Sequence, residues 1–337
     1  MGYPRYSYRL AIAQGVILPD ALLVVSFGGP EGPEDVMPFL RNVARGRAIS
    51  EQRLSAVAEH YHLFGGISPI NQCNRQLVAA LEQELAGRNA HIPVYWGNRN
   101  WHPLLVDTLA QMASDGITSA VALTTSAFGS YSGCRQYTED IAQAQNTVGA
   151  TAPIIHKLPP FWNQVGFLEA VAHHLNAALR QEPNAAVVFT AHSIPEAMAA
   201  TAPYVSQLEQ ACTQVAAQVG ISDWHLAYQS RSGPPQVPWL EPDICAELER
   251  LTKAGATNII VVPIGFVADH MEVIYDLDTE AQQRASELGI GFWRVPTVGT
   301  HPSFVKMIVD MAVAPTPSPC PASCCLAPLP PTQRPAS

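Results

Sequence analysis

Charge is scarce in this 337-residue chain. Only 14% of it is charged, and 19 basic residues face 28 acidic ones, for a net −9 at neutral pH. An acidic balance argues against a protein that neutralises nucleic-acid phosphates. No apolar run approaches the ~18–20 residues of a membrane span. Gly28-Gly29 is not a G-x-G-x-x-G fingerprint, and no Walker A loop occurs. Dinucleotide and NTP binding therefore lose their usual signature. The first residues carry Arg5 and Arg9, then Leu10-Ala11-Ile12-Ala13, too short and interrupted for a secretory signal. Residues 1–19 read as an extension before the first strand, and the default address is cytoplasmic.

The apolar share, 47%, is ordinary for a globular protein with a substantial core. Short apolar runs alternate with helical patterns. Strands are expected at 21–25, 93–96, 120–124, 186–190, 225–229, 258–264 and 291–294. Helices are expected between them, among them 52–61, 76–85, 103–113, 164–180, 203–219, 243–252 and 280–288. Buried strands alternating with amphipathic helices predict an α/β protein with parallel sheets. A strand followed by a small-residue turn occurs twice, at Ser26-Phe27-Gly28-Gly29-Pro30 and at Ala191-His192-Ser193-Ile194-Pro195. This predicts two similar doubly wound domains, 20–160 and 161–312, with a ligand cleft between them and a junction near 155–165, where Pro159-Pro160 breaks the pattern. Residues 313–337 form a Pro- and Cys-rich tail without a core of its own.

Ligands in such sheets bind beyond the carboxyl ends of strands. His192 follows one strand. Past another, Glu272, Asp276 and Glu280 stand four residues apart, a spacing that stacks side chains on one face of an α-helix. The bland alternative for the row is a solvated helix face, and for His192 a helix-entry residue with Ser193 as N-cap. Against the first stand the buried strand just before the row and the absence of basic partners four residues from Glu272 and Asp276. Carboxylates are hard oxygen ligands that bind Fe2+ or Mg2+ exchangeably, and histidine exchanges protons near neutral pH. His270 flanks the row; His173 and His174 read as helix surface or packing residues. The Pro-rich loop 230–242 is read as functional or purely structural with equal weight.

Six ordered segments carry a resemblance: SFGGPE (26–31), FGGISPIN (64–71), WGNRNW (96–101), FTAHSIP (189–195), YQSRSGPPQVPWLEP (228–242) and PIGFVADHMEVIYDLD (263–278). Over about residues 20–312 the chain resembles the ferrochelatases, lyases that insert Fe2+ into a porphyrin. Its details look most like the actinobacterial branch, which acts on coproporphyrin III in haem b biosynthesis. The resemblance implies a metal-binding and catalytic pair at His192 and Glu272. It implies a proton or metal relay at Asp276 and Glu280, and porphyrin contacts at Ser68 and Tyr137 with Phe27 at the floor. Phe27 cannot offer an oxygen to the metal, unlike the Tyr of some relatives. Arg45 and Arg47 match a basic turn that meets propionates, or are surface charges.

Some ferrochelatases hold a [2Fe–2S] cluster on three C-terminal cysteines and one from the body. Cys320, Cys324 and Cys325 supply three thiolates, in a C-x3-C-C spacing that departs from the actinobacterial C-x6-C-x-C. Cys134 is one of four candidates for the fourth ligand, and the alternative is a tail without a cluster. Expected partners are coproporphyrin III, Fe2+ and a hand-off partner in the haem pathway, with no nucleic acid. Two alternatives are carried: the same chemistry on protoporphyrin IX, and a non-catalytic porphyrin or metal chaperone.

Overall fold

The computed structural model describes residues 19–46, 49–233, 236–315, 321 and 323–327. One sheet holds β1 (Ala21–Ser26), β2 (Val94–Asn98), β3 (Ser119–Thr124) and β4 (Ile154–Lys157), in the order β2-β1-β3-β4. The other holds β5 (Ala186–His192), β6 (His225–Gln229), β7 (Asn258–Val262) and β8 (Gly291–Arg294), in the order β6-β5-β7-β8. Every pairing is parallel. The expected α/β architecture with two doubly wound sheets is what the chain forms. Strand β1 is buried at all six positions, which is why it reads as an unbroken apolar run.

The first half carries helices α1 (Pro33–Val43), α2 (Glu51–His62), α3 (Ile70–Gly87), α4 (Leu105–Ser114) and α5 (Gln136–Val148), the last preceded by a π-helical turn at Tyr131–Arg135. The second carries α6 (Val165–Leu179), α7 (Glu196–Ala199), α8 (Tyr204–Val219), α9 (Ile244–Lys253), α10 (Met271–Tyr275), α11 (Gln282–Leu288) and α12 (Pro302–Val313). Helix α12 packs on both α6 and α3, and Arg88 at the end of α3 pairs with Asp310 at 2.5 Å. One apolar cluster runs from Leu22 and Leu81 through Phe167 to Phe189 and Ile260, so both sheets share a core. Among the described residues, no helix is long and apolar enough to cross a membrane.

Two expectations need correction. Strand β4 was not expected, and the connector placed at 155–165 begins inside it, with Ser119 opposite Ile154. It is an edge strand whose residues are only exposed or half-buried, so no apolar run marks it. The acidic row is also not a plain α-helix. Between α10 and α11 the chain makes a π-helical turn at Asp276–Ala281. An α-helix turns about 100° per residue, so residues four apart drift by about 40° per step. Val273, Leu277, Ala281 and Ala285 are spaced by four and all fully buried in one cluster. The wider turn takes up the drift and keeps that row on the core.

Strand order reverses between β1 and β3 and between β5 and β7. Phe27 leaves β1, His192 ends β5, and the 263–270 loop leaves β7, all at carboxyl ends beside a reversal.

Candidate functional site

His192 at the end of β5 and Glu272 past β7 come together. Nε2 of His192 lies 3.5 Å from Oε2 of Glu272, with 31% and 47% of the two side chains exposed. The imidazole is held from behind: its Nδ1 is hydrogen-bonded to the Ser193 carbonyl oxygen, and the Tyr204 hydroxyl donates to the His192 carbonyl at 2.9 Å. Ser193 is not an N-cap, because its hydroxyl donates to the Leu240 carbonyl at 2.8 Å. Gln229, opposite His192 on β6, is buried and donates through Nε2 to the Glu272 carbonyl at 3.0 Å. His270 caps α10, its Nδ1 accepting the Glu272 N–H at 3.1 Å.

The electrostatics follow from this packing. Burial disfavours the Glu272 carboxylate, but the facing His192 and its hydrogen bond outweigh burial and hold Glu272 down at about 2. Burial likewise opposes charge on His192, and the Glu272 carboxylate overrides it, raising the imidazole above its ordinary range. Each member of the pair thus favours the charged form of the other. Burial pushes His270 the other way, down. Asp276 is pushed up to about 7, first by burial and then by Glu272 and Glu280, against a hydrogen bond from Ser230 that lowers it. Glu280 is exposed. The three acids thus run from a paired carboxylate, through one poised near neutrality, to one in solvent.

Residues of the first half close over this row. His60 stacks on Tyr275 with centroids 3.8 Å apart and planes 8° off parallel. Burial, and next the Glu272 charge, raise the Tyr61 hydroxyl far above its ordinary range. Neither residue stands out in sequence, since their meeting with α10 comes only from packing of α2.

Phe27 is 37% exposed, edge-on to Phe39 at 6.2 Å. Tyr137 is buried. Between them lies Arg99, its guanidinium 4.4 Å from the Tyr137 ring centroid and 5.8 Å from that of Phe27. Its side chain is 5% exposed and paired with Asp140. Arg99 sits in the WGNRNW segment, but its role as a prop beneath two aromatic rings was not expected. Ser68 is buried, and its N–H donates to the Pro30 carbonyl at 2.9 Å. A Cβ on Gly29 would stand 2.7 Å from that of Ser68, so glycine lets SFGGPE and FGGISPIN meet. Leu63 and Ile67 stand exposed beside this junction. Arg45 is exposed just past α1. Arg47 and Cys320 lie outside the described residues.

In the tail, the Cys324 and Cys325 sulfurs are 3.4 Å apart, and Cys325 is buried. Thr201 Oγ1 lies 3.4 Å from the Leu326 carbonyl and 3.1 Å from that of Met198. The Met198 sulfur in turn lies 3.8 Å from Ser132 Oγ, on the π-helical turn that carries Cys134. Among the described residues, no three His, Cys, Asp or Glu side chains converge as a metal-ion site.

A family model for Ferrochelatase matches residues 19–315. The chain is 51% identical over 305 residues to a protein of Nocardia farcinica named coproporphyrin III ferrochelatase, covering 87% of each. It is 46% identical over 327 residues to a protein of Rhodopirellula baltica named ferrochelatase, covering 91% of this chain and 93% of that one. Among solved structures, SirB from Bacillus subtilis with Fe3+ superposes with a TM-score of 0.52 at 14% identity, covering 88% of this chain and 95% of that chain, a likeness of fold alone. With the family model spanning almost all described residues, and relatives near half identity over most of their length, the chain belongs to the ferrochelatase family.

Proposed function

We propose that the chain inserts Fe2+ into coproporphyrin III, giving Fe-coproporphyrin III and two protons on the route to haem b. The observation that carries the reading is the His192–Glu272 pair, an imidazole 3.5 Å from a carboxylate with both side chains partly open to solvent. The substrate is supported by what similar proteins such as that of Nocardia farcinica are named for. The cytoplasm is the place of work that fits it.

A free porphyrin holds two inner N–H protons, and metal entry needs both removed. Glu272 offers Fe2+ a hard oxygen that binds without trapping it. Fe2+ at Glu272 neutralises the charge that keeps a proton on His192. The imidazolium then sheds that proton, and Nε2 becomes a base for a porphyrin N–H. Asp276, titrating near 7, accepts and releases protons at the pH of the reaction, and Glu280 passes them to solvent. Ser68, Tyr137 and Phe27 are read as porphyrin contacts, and Arg45 and Arg47 as propionate partners through the planar guanidinium fork.

The test is an anaerobic insertion assay with coproporphyrin III and protoporphyrin IX in parallel. Turnover of the first at well above the rate of the second supports the reading. Equal or reversed rates would move the substrate to protoporphyrin IX. Binding without turnover would make the chain a carrier.

The tail is read as a cluster site. Cys324 and Cys325 bring two thiols to within 3.4 Å of each other. Cys320, Cys324 and Cys325 would give three of the four thiolates that a [2Fe–2S] group normally takes, with the fourth from one of the four body cysteines, Cys134 among them. Such a group supplies one-electron redox chemistry, and no step of metal insertion runs through it. Visible absorption and labile sulfide in anaerobically purified protein, both lost in Cys324→Ser, would bear this out. Colourless protein would sink it.

A further inference from the structure

Arg294 ends β8 and is not among the residues that the family motifs point to. Its side chain is 15% exposed and faces two carboxylates. Nε and Nη2 donate to the two oxygens of Asp278, at 2.5 and 2.8 Å, as a fork. Nη1 and Nη2 donate to the two oxygens of Asp269, each at 3.2 Å. Thr297 adds a hydroxyl to Asp269 at 3.1 Å. The positions of these acids give the contact its meaning. Asp269 immediately precedes His270, the cap of α10. Asp278 lies inside the π-helical turn, two residues past Asp276. One guanidinium therefore grips the chain on both sides of the segment that carries His270, Glu272 and Asp276.

A π-helical turn is rarer and less favourable than α-helix. Were this turn to relax to α-helix, the residues before and after it would rotate by about 100° relative to each other. The row Val273, Leu277, Ala281 and Ala285 could then no longer stay on the core without turning α10, and with it Glu272, away from His192. Ser230 holds the turn at Asp276 from one side, and Arg294 holds it at Asp278 from the other.

We infer that Arg294 is a positioning residue for iron insertion: by clamping Asp269 and Asp278 it sets where Glu272 and Asp276 meet the metal, without touching substrate. The inference rests on the reading of Glu272 and Asp276 given above. A lysine at 294 keeps the charge but, as a point donor, cannot fork to both acids at once. Residues that orient a metal-binding group typically cost about 10–100-fold when lost.

The experiment is steady-state anaerobic insertion with full-length Arg294→Lys, measuring KM for Fe2+ and for coproporphyrin III separately. Porphyrin Kd is read by tryptophan quenching. Expected are a rise in KM for Fe2+ or a fall in kcat of about tenfold or more, with porphyrin Kd within about twofold of wild type. A folded variant whose kcat and KM for Fe2+ both match wild type overturns the inference. So does a loss that falls equally on porphyrin affinity, which would make Arg294 part of the scaffold. If Arg294→Lys does not fold, Asp278→Asn removes only the fork to the turn and is read the same way. Failure of both to fold also assigns the arginine to the scaffold. Wild-type protein that inserts no iron removes the underlying reading and this inference with it. Active wild type beside an unaltered variant removes the inference alone.

Discussion

Ser230 donates its hydroxyl to Asp276 from a backbone in the left-handed region, φ 64°. A side chain there costs about 1–2 kcal/mol relative to ordinary conformations, and such strain gathers where a group must be aimed. The hydrogen bond favours charged Asp276 and lowers its pKa, so its loss raises a carboxyl already at about 7. A proton acceptor works only when unprotonated. Ser230→Ala and Ser230→Gly are both expected to move the rising limb of the pH–kcat/KM profile to higher pH. The glycine variant, freed of strain, should be more stable than the alanine variant by about 1 kcal/mol, read from denaturant melts. Unmoved limbs would remove Asp276 from the proton path.

The acids should not weigh equally. His192→Ala and Glu272→Gln each remove one half of the 3.5 Å pair, and a fall in kcat of about 10²–10⁴ is expected from loss of a positioned acid–base group. Glu280 is exposed and stands eight residues past Glu272, near the far end of the π-helical turn. Glu280→Ala is expected to cost less than about tenfold in the same anaerobic assay. Near-normal insertion by His192→Ala would sink the assignment of the pair.

The parts of the fold that can be read from sequence are those with a local imprint. Strands β1, β3, β5 and β7 are apolar runs because both their faces are covered, and the twin turns after β1 and β5 declare two similar halves. Strand β4 escapes because an edge strand needs little burial. The π-helical turn left a trace that invited the wrong element: Glu272, Asp276 and Glu280 repeat by four, as do Val273, Leu277, Ala281 and Ala285. Two rows in strict step fit a helix wider than 3.6 residues per turn. That His192 and Glu272 could lie near each other was legible because each follows a strand end. Tyr61, Arg99 and Arg294 were not, because their partners lie far away in sequence and only packing brings them together.

Gly265 tests how tightly the loop after β7 is built. Its N–H donates to the Thr190 carbonyl at 3.0 Å. A Cβ there would come within 2.6 Å of the Ala191 Cα and 3.3 Å of the Thr190 oxygen. Backbone cannot swing aside as a side chain can. Gly265→Ala is expected to destabilise by about 1–3 kcal/mol, in the range of overpacking, and to lower activity by pushing the loop away from β5, whose last residue is His192. A melting temperature equal to wild type would show that the two segments have room the structure does not record.

Three histidines join α6 to the start of α12, where His173 and His174 had been read as surface or packing residues. His301 caps α12, its Nδ1 accepting the Ser303 N–H at 3.3 Å, and its Nε2 is 3.1 Å from the His173 Nδ1. The His174 ring lies 5.5 Å from that of His301. Burial, and after it the neighbouring imidazoles, lower the pKa of both His174 and His301. The folded form therefore binds protons more weakly than the unfolded chain. The stability tied to these groups is complete above their unfolded pKa, about 6.5, and drains away as pH falls below it. His301→Asn keeps a side-chain acceptor at the cap and removes one imidazole from the cluster. The drop in melting temperature between pH 7 and pH 5.5 should be smaller in that variant than in wild type. The acid sensitivity of Glu272 and other carboxylates is common to both and cancels in the comparison. Parallel slopes would show that His174 and His301 do not resist protonation together.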